Sequence, residues 1–303
     1  MDDRPIGMFD SGFGGLTVAR AVIDLLPAER LVYVGDTGRY PYGPRPQLEV
    51  WGFALEIARH LVDDHGVKLL VVACNTAAAA APMGDLEQRF AVPVVGVIEP
   101  GVRSMVTATR SGRVGVIGTV GTIASGAYQR TVARVAPDVE LTCAACPGFV
   151  EFVERGDTAS DQVHVLAERL LAPAREAKVD TLLLGCTHYP FLARTISDVM
   201  GRDVVLVSSA DETAFEVLAR LDAEDLRVAG HPPPADAGLG PQPESLGDAA
   251  MLPAEPAAPS DPGARRGDWR HRWLSSGDVT VFRELGRRLL GPELEHAEAA
   301  PWA

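Results

Sequence analysis

The stretch Val71-Val72-Ala73-Cys74-Asn75-Thr76-Ala77 decides how this chain reads. An apolar run from Val67 to Ala73 ends abruptly in a thiol and two polar residues. That is the pattern of a strand buried on both faces of a parallel sheet, passing into a helix start. The same grammar returns at Leu182-Leu183-Leu184-Gly185-Cys186-Thr187-His188. In an open α/β sheet, ligands bind in the crevice beyond the carboxyl ends of the strands, so both sulfurs fall on candidate site walls and not in the core.

Working outward, Pro5 to Phe9 reads as a strand that enters the turn Asp10-Ser11-Gly12-Phe13-Gly14-Gly15, with a helix from Leu16 to Leu26 behind it. Arg30 to Val34 predicts a second strand ending at Gly35-Asp36-Thr37, Glu49 to His65 a helix, and Pro93 to Val97 a further strand. A second unit opens with a strand from Val114 to Ile117 and the turn Gly118-Thr119-Val120-Gly121-Thr122. Strands alternating with amphipathic helices predict an α/β fold whose sheets are doubly wound and mainly parallel. Each unit places its cysteine at nearly the same separation from a glycine near its opening strand, Gly7 in one and Gly115 in the other, which points to duplication.

At 303 residues the chain is long enough for two domains. A segment from about 228 to 268, opening at His231-Pro232-Pro233-Pro234, is rich in Pro, Ala, Gly and acidic residues and has no apolar period. Such a composition buries too little surface to offset its ordering entropy, and a disordered insert is expected there. Trp273 to Ser276 then reads as a short strand and Val279 to Leu290 as a final helix, with Glu293 to Ala303 frayed.

Hydrophobic residues at 47% and charged residues at 23% are those of an ordinary globular protein. A net charge of −13 disfavours phosphate backbones, so no direct nucleic-acid binding is expected. The start Met1-Asp2-Asp3-Arg4 lacks a basic, apolar leader, and no membrane-length apolar run follows; a cytoplasmic protein is expected. Four cysteines in so long a chain are no disulfide framework. Cys143 and Cys146 form a C-x-x-C on an apolar strand without a second pair, which predicts neither a metal nor a redox site.

A thiol at a helix start or beside a proton acceptor serves as an acid or base near neutral pH. Asn75-Thr76 and Thr187 follow the two thiols as candidate caps that turn backbone N–H groups toward the crevice. His188 stands two residues beyond Cys186, and Asp10, ending the first strand, reaches the same sheet edge as Cys74. Two like acid/base groups facing one carbon suit inversion of a stereocentre, because each must be base for one enantiomer and acid for the other.

The motifs GMFDSGFGGLTV at 7–18, YVGDTGRYPYGPR at 33–45, VVACNTA at 71–77, PGFVEFVERG at 147–156 and LLLGCTHYPFL at 182–192 span almost the whole chain. In this order they resemble the cofactor-independent aspartate/glutamate racemases, and PYG after GDT favours the glutamate branch. The resemblance implies two pseudo-symmetric α/β domains with the active site in the cleft between them, residues 1–98 and 208–303 forming the first domain and 99–207 the second. It implies L- to D-glutamate interconversion for peptidoglycan synthesis, with no cofactor and no metal. Aspartate or another acidic amino acid is the alternative substrate.

By the same resemblance Cys74 and Cys186 are the catalytic thiols, assisted by Asp10, His188 and Glu154. Ser11, Asp36, Tyr42, Gly43, Asn75, Thr76, Thr119 and Thr187, with Asp10 and His188, are substrate-binding positions. A homodimer is implied as well, and some family members bind DNA gyrase, a role of a different class. Gly38 and Tyr40 depart from the small or aliphatic residues more usual in the second motif, and Glu151 from the apolar stretch before VERG.

Overall fold

The computed structural model describes residues 2–228 and 271–302. The expected insert lies outside the described residues except for Val228, whose N–H donates to the buried Glu29 carboxylate at 3.0 Å.

Among the described residues ten strands form two sheets. The first contains β1 (Ile6–Asp10), β2 (Leu31–Gly35), β3 (Leu69–Val72), β4 (Val94–Gly96), β9 (His271–Ser275) and β10 (Glu298–Ala299), in the order β10-β9-β2-β1-β3-β4. The second contains β5 (Arg113–Gly118), β6 (Glu140–Ala145), β7 (Thr181–Gly185) and β8 (Val205–Val207), in the order β6-β5-β7-β8. Every pairing is parallel. The order β2-β1-β3-β4 in one sheet and β6-β5-β7-β8 in the other is the same winding used twice, and it gives the fold its pseudo-symmetry. The sheets' strands separate near residues 98 and 208, and we propose those positions as the domain boundaries.

Alternation along buried strands builds the core on both faces. Ile6 and Met8 join the cluster of the helix Leu16–Leu25, whereas Phe9, one position on, joins Val50, Ile57 and Leu61 of the helix Gln47–Asp63. All five residues of β1 are buried, which is why the strand shows no polar alternation. The chain's return to the first sheet runs through the helix Ala210–Ala223, packed on Leu16–Leu25 and on the helix Ile98–Ala108.

The expected frayed tail is a correction. Glu298–Ala299 pairs with β9 as an edge strand, Glu298 bridges Arg272 at 2.6 Å, and Ala300 is buried. Trp302 donates to Asp36 at 3.4 Å and stands edge-on to His60 at 5.0 Å. A large aromatic ring anchored at its N–H recovers the ordering entropy that composition alone would assign as lost.

Candidate active site

Strand order sets the site before any side chain does. Because β1 lies between β2 and β3, the connections leaving β1 and β3 diverge and open a crevice, and Ser11 and Cys74 stand at its rim. The second sheet repeats this with β5 and β7, whose ends deliver Thr119 and Cys186. The two rims face one another across a cavity of about 110 Å³. Its lining includes Ser11, Tyr42, Gly43, Cys74, Asn75, Thr76, Thr119, Cys186, Thr187 and His188. Asp10, Asp36 and Glu154 are not part of that wall and stand behind it.

Cys74 is itself the cap of the helix Asn75–Ala80, a place the sequence had suggested for Asn75 or Thr76. The Ala77 N–H donates to its sulfur at 3.5 Å, and the thiol donates to Ser11 Oγ at 3.6 Å. Burial pushes the Cys74 thiol up to about 12, the Asp10 charge adds to this, and the Ala77 and Ser11 contacts only partly offset it. Asp10 acts on Cys74 through this charge and not by a bond: its carboxylate accepts from the Gly12 N–H at 2.9 Å and from Thr187 Oγ1 at 3.3 Å. One of its two bonds therefore crosses to the far side of the cleft.

Cys186 is also fully buried, and burial pushes its thiol well above the usual range, with the charges of Cys74, Asp10 and Cys146 in support. The His188 N–H opposes that shift. A 3-10 turn, Tyr189–Leu192, follows in place of the expected helix start. His188 Nε2 meets Glu154 Oε1 at 3.1 Å, and its ring packs edge-on against Phe13 at 5.0 Å.

Two close approaches hold the rims together. A Cβ on Gly14 would lie 2.5 Å from His188 Nδ1 and 2.6 Å from Thr187 Oγ1, so only glycine allows the first turn to press against the second thiol's loop. Gly121 N–H donates to Gly43 O at 2.9 Å on the other side, where a Cβ at Gly121 would meet the same oxygen at 2.7 Å. Between them the hydroxyls of Thr76, Thr119 and Thr122 form a triangle with sides of 3.0, 3.1 and 2.9 Å. Tyr128 donates to Asn75 Oδ1 at 2.6 Å, and Asn75 Nδ2 has no partner among the described residues.

The expectation that Asp36 contacts the ligand gives way to a different placement. Its carboxylate, fully buried, is occupied by Arg39 at 2.8 Å, Ser276 at 2.5 Å, Tyr42 and Trp302. Asp36 holds Tyr42 in the wall and does not itself line the cavity. Sequence reasoning also missed Tyr40, Cys146, Glu151 and Tyr189 in the lining. Cys146 was legible in principle, because it follows β6 as Asp36 follows β2. Among the described residues no group of three His, Cys, Asp or Glu side chains is arranged to hold a metal ion, and no helix is long and apolar enough to cross a membrane.

Comparison with known proteins agrees with this geometry. The family described as Asp/Glu/Hydantoin racemase matches residues 15–216. The glutamate racemase of Beutenbergia cavernae is 50% identical over 99% of this chain and 94% of its own, and that of Acidothermus cellulolyticus 49% identical over 98% of each. Among solved structures, the glutamate racemase of Bacillus anthracis superposes with a TM-score of 0.79 at 35% identity, covering 99% of this chain and 97% of that one. The Francisella tularensis enzyme, solved in complex with D-glutamate, superposes with a TM-score of 0.80 at 29% identity, covering 100% and 99%. The chain belongs to the glutamate racemases of the Asp/Glu/hydantoin racemase family.

Proposed function

We propose that this protein interconverts L- and D-glutamate by a two-base mechanism in which Cys74 and Cys186 address opposite faces of the α-carbon. The observation that carries the reading is the placement of two buried thiols at equivalent strand ends of two facing sheets, lining one cavity. Glutamate is favoured over aspartate because relatives sharing half their residues with this chain are glutamate racemases.

Burial keeps both thiols protonated in the absence of a counter-charge, so the substrate ammonium has a second task besides binding. Its positive charge offsets the Asp10 carboxylate, which raises both thiols, and allows one of them to pass its proton to the neighbouring acceptor, Asp10 beside Cys74 or the Glu154–His188 pair beside Cys186. That thiolate takes the α-proton and becomes a thiol, leaving a carbanion. The opposite thiol gives its proton to the other face of the carbon and becomes the thiolate. Asp10, near Cys74, and the Glu154–His188 pair, near Cys186, return the protons to their starting places. The unpaired Asn75 amide and the threonine hydroxyls supply donors for the carboxylates. The reading takes no cofactor. D-glutamate formed in the cytoplasm would feed peptidoglycan synthesis, and a homodimer is the expected assembly, measurable by sedimentation velocity.

In heavy water the purified protein should convert either enantiomer to the other with deuterium entering at the α-carbon. Cys74→Ala and Cys186→Ala should each lower racemisation at least about a thousandfold. Absence of α-exchange from both enantiomers in the unsubstituted protein would sink the proposal.

A further inference from the structure

Tyr42 forms part of the cavity wall, and its hydroxyl is spent on the Asp36 carboxylate, which stands behind that wall. The next residue, Gly43, accepts the Gly121 N–H of the opposite rim at 2.9 Å. Whatever steadies Asp36 therefore steadies the stretch of wall that joins the two rims.

Asp36 collects its other donors from distant parts of the chain: Arg39 Nε at 2.8 Å, the Ser276 hydroxyl at 2.5 Å and the Trp302 indole N–H at 3.4 Å. The indole brings more than this long bond. Its ring lies 5.5 Å from the Arg39 guanidinium, and the Phe53 ring lies 4.3 Å from the same group. Phe53 is in turn tilted against the Tyr42 ring at 5.4 Å, so planar groups run without a break from Trp302 to the cavity wall. On its far side Trp302 meets the His60 ring edge-on at 5.0 Å. Ala300, buried and donating its N–H to Ser275 O at 2.8 Å, fixes where the indole lies. A large ring beside an ion pair keeps water from it, and an acceptor shielded from water holds its donors more tightly.

We infer that Trp302 is a positioning residue for the active site: by donating to Asp36 and covering the Asp36–Arg39 pair, it holds the Tyr42 wall in its substrate-binding place. The inference rests on the glutamate reading above and adds to it a residue that does not line the cavity.

The unsubstituted protein is assayed first, and failure to racemise glutamate overturns the functional reading itself. On an active protein, Trp302→Ala should raise KM for both enantiomers about fivefold, with kcat changed less than about threefold. KM is the decisive readout, because partial unfolding lowers the active fraction, and with it the apparent kcat, but leaves KM where it was. A double-mutant cycle tests the route. In a Tyr42→Phe background, where no hydroxyl reaches Asp36, Trp302→Ala should raise KM by less than about twofold more. Should the alanine variant fail to fold, Trp302→Phe, which keeps a ring beside Arg39 and loses the N–H, runs the same cycle with an expected rise of about threefold. A KM within about twofold of the parent's in the folded variant overturns the inference. So does an equal rise in both backgrounds, which would mean that the indole acts without Tyr42, or a fall in kcat at constant KM, which would make its role in the fold alone.

Discussion

The two rims of the cleft share a strand order and differ in almost everything attached to it. Cys74 is supported by its own helix, through the Ala77 N–H and the Ser11 hydroxyl. Cys186 stands before a 3-10 turn and has beside it a side-chain pair, His188 and Glu154, assembled from separate parts of the second half. At the end of the second strand of each unit the contrast sharpens: Asp36 in one, fully buried and saturated with donors, Cys146 in the other, a thiol in the wall. Duplicated winding therefore explains where the thiols stand. It does not explain how each is served, since proton-transfer partners are set by loops, which vary more freely than the strands that carry them.

The largest effect that tests this contrast concerns Asp36. Asp36→Ala leaves the Arg39 guanidinium and the Tyr42 hydroxyl without their shared acceptor, and should destabilise the fold by about 3–5 kcal/mol, read from urea unfolding. A change below about 1 kcal/mol would show that Asp36 is no anchor. Next comes Glu154→Gln, which keeps shape and removes the charge beside His188. Racemisation should fall roughly 10- to 100-fold with the unfolding midpoint nearly constant. If activity is unaffected, His188 needs no partner and the two rims are more alike than their geometry suggests.

The smallest effect belongs to the counterpart of Asp36. Cys146→Ala should cost about 1 kcal/mol and leave turnover within a few fold. Burial holds Cys146 at about 12 against an ordinary 9.0, so it stabilises the fold below pH 9 and loses that contribution as pH rises toward 12, where the unfolded chain releases the proton first. The variant's stability should decline less steeply with pH across that window, as measured by urea unfolding at a series of pH values. An unchanged slope would place the titration on Cys74 or Cys186.

Much of this was legible in advance. Buried parallel strands are continuous apolar runs, and the thiols ending β3 and β7 are conspicuous because polar residues follow them at once. What escaped was whatever depended on partners distant in sequence. The tail read as frayed because Glu298 and Trp302 look like loose polar and aromatic residues until Arg272, Asp36 and His60 are beside them. Asp36 read as a ligand contact on the strength of the family resemblance, and only Ser276 and Trp302 show that its oxygens are already used. Cys146 read only as one half of a C-x-x-C on an apolar strand, for want of knowing that β6 neighbours β5 at the cleft.

By itself the sequence determined the α/β winding, its repetition and the two thiols at strand ends, because these follow from local periodicity and from the direction of parallel strands. Tertiary structure alone decided that Asp10 reaches across to Thr187, that Gly14 lies against His188, and that Glu154 meets the His188 ring. Such pairings join residues far apart in the chain, and whether a polar group is satisfied depends on what folding brings within hydrogen-bond reach.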